Sequence, residues 1–569
     1  MGAKYTTERR GLSVRTATWN LGNEVPKTGW SFLGAEDKPD IYAVGVQEAV
    51  YNPREGFIDM EMDLFLSIHR AVGEDEYEVV MQQSLTPRTD KTYKSKEAFI
   101  KAYNAHPDKM SPSGIRLIVL AKKTLTAEGL MPTDVEVNVR TCGRLDGVSG
   151  NKGALSVTCR IGDVWVSFMT AHLNAHTEQL ERRIADYESV MFGFHAPLDT
   201  LAAESEDYVA AEAMAAPAAA GAAGAALHPN SPMSAAYLKN IEVNNRSHVT
   251  LFMGDFNFRL EALDPKSGEP LSHEDQCKAV EECLDLRQWD EMATYDQLLR
   301  EQKRRRCFHT FTECKEHPHW APTFKLNKKP DKPGVYNLKR CPSWCDRVLL
   351  RTAHGGKCDH VRYVAHHDYE PNTSDHVPVT ADFRLEAWRT HQHHGSLHAA
   401  ASKLFRSTTM QKERSIEITK LKFHPDHEYI LGIYEDTVEE GMPDDVLGAS
   451  EMLVALFHAA ASERTLTGTV KYDPKIMEWL DPLELKFRAS VPDVFGHPLL
   501  IAVRTPEADN RRLHRQGEAM LDVRALYEKA ARGDPKARFP LFGTERVELL
   551  QRGQPRGFVS FDYKLDVNK

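Results

Sequence analysis

The chain has 569 residues, 41% of them hydrophobic and 27% charged, with a formal net charge of −10 at neutral pH. That length predicts two to four domains at about 150 residues each, and the balance of apolar and charged residues excludes a mostly disordered or fibrous chain. The acidic balance disfavours a generic nucleic-acid binder as well.

No stretch approaches the roughly 18 consecutive apolar residues of a membrane span, and no charged start followed by an apolar run reads as a secretory leader. The expected compartment is therefore the cytoplasm, where the nine cysteines, which lack paired spacing, are expected to stay reduced. Residues 1–13 are predicted to be a flexible N-terminus. Gly2 followed by Thr6 matches the N-myristoylation pattern, with Arg9 and Arg10 close behind. One acyl chain anchors only marginally, so peripheral membrane association would need a second contact.

From Val14 short apolar runs alternate with helical stretches. VRTATWNL, IYAVGVQEA, YEVVMQQSL, IRLIVLAKK, GALSVTCRI and DVWVSFMTAHL read as strands, and Gly162-Asp163 reads as a hairpin turn. Helices are predicted near Asp59–Ala71, Glu178–Phe192 and Glu274–Leu299. Successive strands joined by a turn alone favour packed mixed sheets with outer helices. Residues 210–226 contain 12 alanines but are broken by Pro217, Gly221 and Gly224, so positions 205–235 read as a surface insertion. A His-rich, basic stretch over 391–415 reads as a linker. Residues 416–569 read as strands of a smaller β-sandwich, including LELKF, LLIAVRT, GEAMLDVRAL and GFVSFDYKLDV. This part resembles a C2-like module, and its Asp436, Asp444, Asp445 and Asp509 make no convincing calcium cluster.

Six apolar strands run straight into polar side chains, the place where open α/β sheets build their sites. They deliver Asn20, Gln47 with Glu48, His172 with Asn174, Asp255 with Asn257, Asp346, and Asp375 with His376. Carboxylate and amide oxygens suit Mg²⁺, a hard ion completed by water and substrate phosphate. Hydrolysis of a phosphoester needs a metal to polarise the phosphate, a carboxylate to take a proton from water, and cations to neutralise the transition state. Glu48 and Asn20 are the expected metal ligands, Asp255 oriented by Asn257 the base, His376 a cation held by Asp346, and His172 a phosphate contact. The cysteines and histidines of 307–319 have irregular spacing for zinc. Cys341 and Arg347 have the spacing of a cysteine phosphatase, but Pro342 and Trp344 do not make a phosphate cradle.

In their order, WNLG, QEA, NKGAL, TAHLNAH, GDFNFR, PTFK, RCPSWCDRVL and SDHVPV make residues 15–383 resemble the inositol polyphosphate 5-phosphatases of the endonuclease/exonuclease/phosphatase superfamily. The resemblance implies an α/β fold, a four-layered DNase I-like sandwich spanning residues 14–390, with Mg²⁺ as cofactor. It implies removal of the 5-phosphate from phosphoinositide lipids or soluble inositol phosphates. It supports the same metal and base residues and sets His172, Arg347 and His376 around the scissile phosphate, with Arg259 and Asp375 holding the site's geometry. Lys152, Asn174, Lys325, Lys339 and Arg340 are the further substrate contacts, although Phe324 stands where the family has a tyrosine. Six cations and one carboxylate between Lys325 and Arg340 leave a local excess of five positive charges, a phosphate funnel or membrane-facing edge. The catalytic unit is expected to be monomeric. The competing readings are a nuclease or sphingomyelinase of the same superfamily and an inactive lipid-binding scaffold.

Overall fold

The computed structural model describes residues 9–24, 29–49, 60–85, 114–142, 152–194, 243–328, 334–369, 373–388 and 414–425, and most of 453–566. Gly2, the alanine-rich insertion, nearly all of the predicted linker and the four aspartates weighed for calcium lie outside these residues.

Two mixed sheets face each other. The first contains β1 (Arg9–Asn20), β2 (Ile41–Ala49), β3 (Tyr77–Leu85), β4 (Gly114–Lys122), β10 (Cys358–Ala365) and β11 (Val379–Trp388), in the order β10-β11-β1-β2-β4-β3. The second runs β5 (Thr133–Thr141), β6 (Gly153–Ile161), β7 (Val164–His172), β8 (Val249–Asp255), β9 (Asp346–Thr352) in simple order. Each sheet is antiparallel except for one internal parallel pair, β1/β2 in the first and β7/β8 in the second. β2, β4, β6, β7 and β8 are buried along almost their whole length, and inward residues such as Val14, Val119, Val157, Phe168 and Leu251 form one core between the sheets. The Gly162-Asp163 hairpin forms as predicted.

Helices cover the outer faces. Helix α1 (Met60–Val72) packs Phe65, Ile68 and Val72 on the first sheet. Helix α2 (Leu180–Gly193) packs Ile184, Tyr187, Val190 and Met191 on the second. A four-residue turn, α3 (Val243–Arg246), leads into β8. The single helical stretch expected over Glu274–Leu299 is three helices instead: α4 (His273–Leu286), α5 (Trp289–Thr294) and α6 (Gln297–Lys303). Arg287 in the left-handed conformation ends α4, and the Asp296 carboxylate caps α6, so local capping wins over a continuous apolar period. β1 begins at Arg9 rather than Val14, because Arg9–Ser13 already pair with β11 and are ordered with it.

Among the described residues, ten strands follow from β12 (Arg414–Pro425) to β21 (Gln554–Asp566), hydrogen-bonded in one continuous sheet around a second core. Leu483, Leu485 and Phe487 face that core as the alternation predicts. In the last strand the inward residues are Val559, Phe561, Tyr563 and Leu565. The DVRAL half of the expected strand is helix α7 (Val523–Ala531), because Asp522 accepts hydrogen bonds from Arg524 and Ala525 N–H and caps it. This second unit abuts the first through Arg524 to Asp163 at 2.6 Å, Tyr187 hydroxyl to the Gly553 carbonyl at 3.1 Å, and Asp522 N–H to His354 Nδ1 at 3.0 Å.

Candidate active site

The two parallel pairs end at the same edge of the molecule. Asn20 and Gln47 are partners at the end of β1/β2. Gly153, His172, Asp255 and Asp346 lie side by side across β6, β7, β8 and β9. Close approach is what brings these rows together. A Cβ on Gly254 would meet the Ala171 carbonyl oxygen at 2.2 Å, and one on Gly45 would meet Thr170 at 2.4 Å. The Gln47 amide donates to the Thr18 hydroxyl in its own sheet and, across the gap, to the Thr170 hydroxyl. Asn20 Nδ2 donates to Asp255 Oδ2 at 2.8 Å, which joins the two sheets through catalytic-type groups.

Asp255 is the centre of the arrangement. Its other oxygen accepts from Asn257 N–H at 3.1 Å, while Oδ2 lies 3.3 Å from His172 Nε2 and 3.8 Å from His376 Nε2. Burial alone would raise its pKa, but His376, His172 and Lys152 outweigh burial and hold the carboxyl well below the usual range. Asn257, left-handed at φ 58°, anchors its amide to the Leu173 carbonyl and takes Arg259 on its oxygen. His376 is buried, which disfavours its charge, yet Asp346 at 2.8 Å from Nδ1, together with Asp255, pushes it up to about 9. Asp346 in turn accepts from the Thr323 hydroxyl at 2.6 Å. The Phe324 ring lies 4.6 Å from the His376 ring, and the Arg259 guanidinium sits over the Phe324 ring at 4.5 Å.

Glu48 and Lys152 complete the edge. A bulge between Val46 and Ala49 and a left-handed φ of 47° turn the Glu48 carboxylate toward the site, where Oε1 is 4.0 Å from His172 Nε2. Lys152 Nζ contacts His172 Nε2, and burial brings the ammonium pKa down to about 8. Burial and the Lys152 charge lower His172, so its imidazole is neutral. The carboxylates of Glu48 and Asp255 thus converge on one imidazole, hard oxygen ligands suited to Mg²⁺, whereas the Asn20 amide turns its nitrogen to Asp255 and its oxygen to Gly22 N–H. The Asp346 Oδ1 atom is buried without a hydrogen-bond partner among the described residues, a further acceptor at this edge.

Lys325 and Lys328 flank the site and pair with Asp375 at 2.8 and 3.6 Å, which accounts for Asp375 as a positioning group. Lys339 and Arg340 sit exposed on the next turn, and the Arg340 charge reaches His176. Asn174 commits its amide nitrogen and its N–H to Asp186, at 2.5 and 3.1 Å, so it fastens α2 to the site rather than offering a free donor.

Arg347 is a correction. Alternation along β9 turns it to the face opposite Asp346, where it is fully buried and paired with Asp296 at 2.7 Å and with Glu313. Arg347→Ala is expected to cost about 3–5 kcal/mol of stability, since it strands two buried carboxylates. Urea denaturation checks this, and the folded fraction should keep its KM. Burial raises the thiols of Cys341 and Cys345, which removes the thiolate reading.

Sequence reasoning passed over Thr323, Asp186 and Trp19, whose indole N–H donates to the His376 carbonyl at 3.0 Å. Thr323 stands within the PTFK motif and Trp19 within WNLG, so both were visible as motif neighbours; Asp186, on α2, carried no such mark.

Residues 17–382 match endonuclease/exonuclease/phosphatase family 2, and the chain belongs to that family. The curated relatives it resembles are 5-phosphatases by name. Mouse type II inositol 1,4,5-trisphosphate 5-phosphatase is 25% identical over 404 residues, covering 70% of this chain and 31% of that protein. Rat phosphatidylinositol 3,4,5-trisphosphate 5-phosphatase 1 is 24% identical over 392 residues, covering 65% and 26%. Mouse inositol polyphosphate 5-phosphatase K is 24% identical over 394 residues, covering 66% of each. The match thus spans about a third or less of the first two relatives. Among solved structures, the 5-phosphatase domain of a synaptojanin, in complex with inositol (1,4)-bisphosphate and calcium ion, aligns with a TM-score of 0.46 and 17% identity. That alignment covers 70% of this chain and 93% of that one.

Proposed function

We propose that the chain is a Mg²⁺-dependent phosphomonoesterase that removes the 5-phosphate from inositol phosphates, as lipids, soluble molecules or both. The observation that carries this reading is the buried Asp255 carboxylate, fixed by Asn20 and Asn257 within reach of both His172 and His376.

Asn20 and Glu48 would hold the metal, which supplies a Lewis acid for the phosphate and the leaving oxygen. Asp255 is ionised at neutral pH and takes the proton of an attacking water. In the free site the two cations His376 and Lys152, with the His172 contact, make it a weak base; a substrate phosphate that neutralises those two cations strengthens it. The imidazolium of His376, oriented by Asp346, stabilises charge on the phosphoryl oxygens in the transition state. Lys152 and neutral His172 supply the next positive charge and hydrogen bond. Lys325, Lys328, Lys339 and Arg340 form the rim that attracts the other ring phosphates or an anionic lipid surface, and they give peripheral membrane contact its electrostatic part.

The test is phosphate release across soluble and lipid inositol substrates, with and without Mg²⁺. No release from any 5-phosphorylated member sinks the proposal, and release from nucleotides instead favours the nuclease reading. In the same panel Lys325→Ala is expected to raise KM by about tenfold for 4-phosphorylated substrates, the loss of one charge-assisted contact, and to leave others within about twofold. Equal effects on all substrates would remove Lys325 from ring recognition.

A further inference from the structure

Glu48 reaches the site at the end of a long side chain that is 31% exposed, and its torsions must be fixed, at a cost in entropy, before the carboxylate can hold a metal. The bulge and the left-handed φ at Glu48 fix only its backbone. The carboxylate itself is held by the turn that follows β1. Asn23 donates its side-chain Nδ2 to Glu48 Oε2 at 3.1 Å and its backbone N–H to the Glu48 carbonyl at 3.0 Å, so one residue grips Glu48 at both ends. The other carboxylate oxygen, Oε1, stays on the side of His172.

The turn can aim an amide because its own shape is fixed. Gly22 and Asn23 both take left-handed backbone, at φ 59° and 60°, a conformation that glycine and asparagine adopt at least cost. Gly22 N–H donates to Asn20 Oδ1 at 2.9 Å, Glu24 N–H to the Leu21 carbonyl at 3.1 Å, and Lys328 Nζ to the Gly22 carbonyl at 2.8 Å. A Cβ on Gly22 would collide with that Lys328 ammonium. The Asn23 amide thus approaches Glu48 from a braced base. A carboxylate with one oxygen held by an N–H donor and the other turned inward presents a single oriented ligand atom, which suits an ion bound through one or two carboxylates and several waters. Hydrogen bonds from outside onto a ligating carboxylate are worth roughly 10- to 100-fold in metal affinity.

We propose that Asn23 is a positioning residue for the metal, acting through Glu48; this rests on the reading of Glu48 as a metal ligand. The test is N23G, because glycine keeps the left-handed turn and its backbone bond to Glu48 and removes only the amide. Asn23 is exposed, so no packing is lost. Mn²⁺ in place of Mg²⁺ is titrated into the full chain without substrate, with the free ion read by electron paramagnetic resonance, for the parent, N23G and E48Q. The dissociation constant is expected to rise by about tenfold in N23G and further in E48Q. In phosphate release, the Mg²⁺ concentration for half-maximal rate should rise in N23G by the same factor while kcat recovers at saturating Mg²⁺, a split that general loosening of the fold would not produce. N23G binding as the parent does, while E48Q binds weakly, overturns the role of Asn23 and leaves Glu48 as a ligand. E48Q binding as the parent does overturns both.

Discussion

Asp255→Asn is expected to lower turnover by about 10²–10⁴-fold, the usual contribution of a positioned proton acceptor. Asparagine keeps the shape and one carbonyl oxygen, so it still accepts from Asn257 N–H and loses only the bond from the Asn20 amide, and the far-ultraviolet circular dichroism should match the parent. The substitution also withdraws one of the two carboxylates nearest the His376 ring. The alkaline limb of kcat/KM should therefore move to lower pH in whatever activity remains. A variant with turnover within a few-fold of the parent would remove Asp255 from the base position, and an unmoved limb would dissociate it from His376.

Asp346→Asn tests the other half of the site, and its signature is a pH profile. In the folded protein His376 titrates near 9, against an ordinary value of 6.5, and Asp346 is the largest of the groups that raise it. A raised pKa gives stability that is fully present below pH 6.5 and is lost as pH rises through about 9. Integrated over that window it amounts to on the order of 3 kcal/mol. The parent should thus lose both stability and kcat/KM as pH climbs from 7 to 10. In Asp346→Asn the limb is expected to fall toward or below neutrality, with activity at pH 8 down by about 10²–10⁴-fold. Urea midpoints and kcat/KM measured at each pH check the two together. If the parent shows no loss of either quantity up to pH 10, His376 is not an imidazolium in the folded site.

Much of this site was legible because strand alternation and strand ends leave marks in one dimension. Asn20, His172 and Asp255 each close an apolar run, and in space they close parallel strand pairs at one edge. Glu48 was visible by type, but the bulge and the left-handed backbone that aim it were not. Arg347 misled because it adjoins Asp346 in sequence. One residue along a strand reverses the face, and its partners Asp296 and Glu313 come from a helix cap and a distant loop. The same limit applies to Thr323 and Asp186, whose contacts join segments 12 to 23 residues apart. Helix boundaries failed where a single side chain decides them, as Asp522 does for α7 and Asp296 for α6.

The contact between Tyr187 and the Gly553 carbonyl has a practical consequence for anyone who would trim the molecule. Tyr187 follows Asp186, which fastens Asn174 beside the site, and Asp163 is buried at the same boundary against Arg524. A fragment that stops near residue 390 would open that buried carboxylate and hydroxyl to water and release the outer face of α2. Kinetic constants measured on such a fragment would then describe a loosened α2 as well as the catalytic groups, and should be compared with those of the intact chain before they are assigned to chemistry.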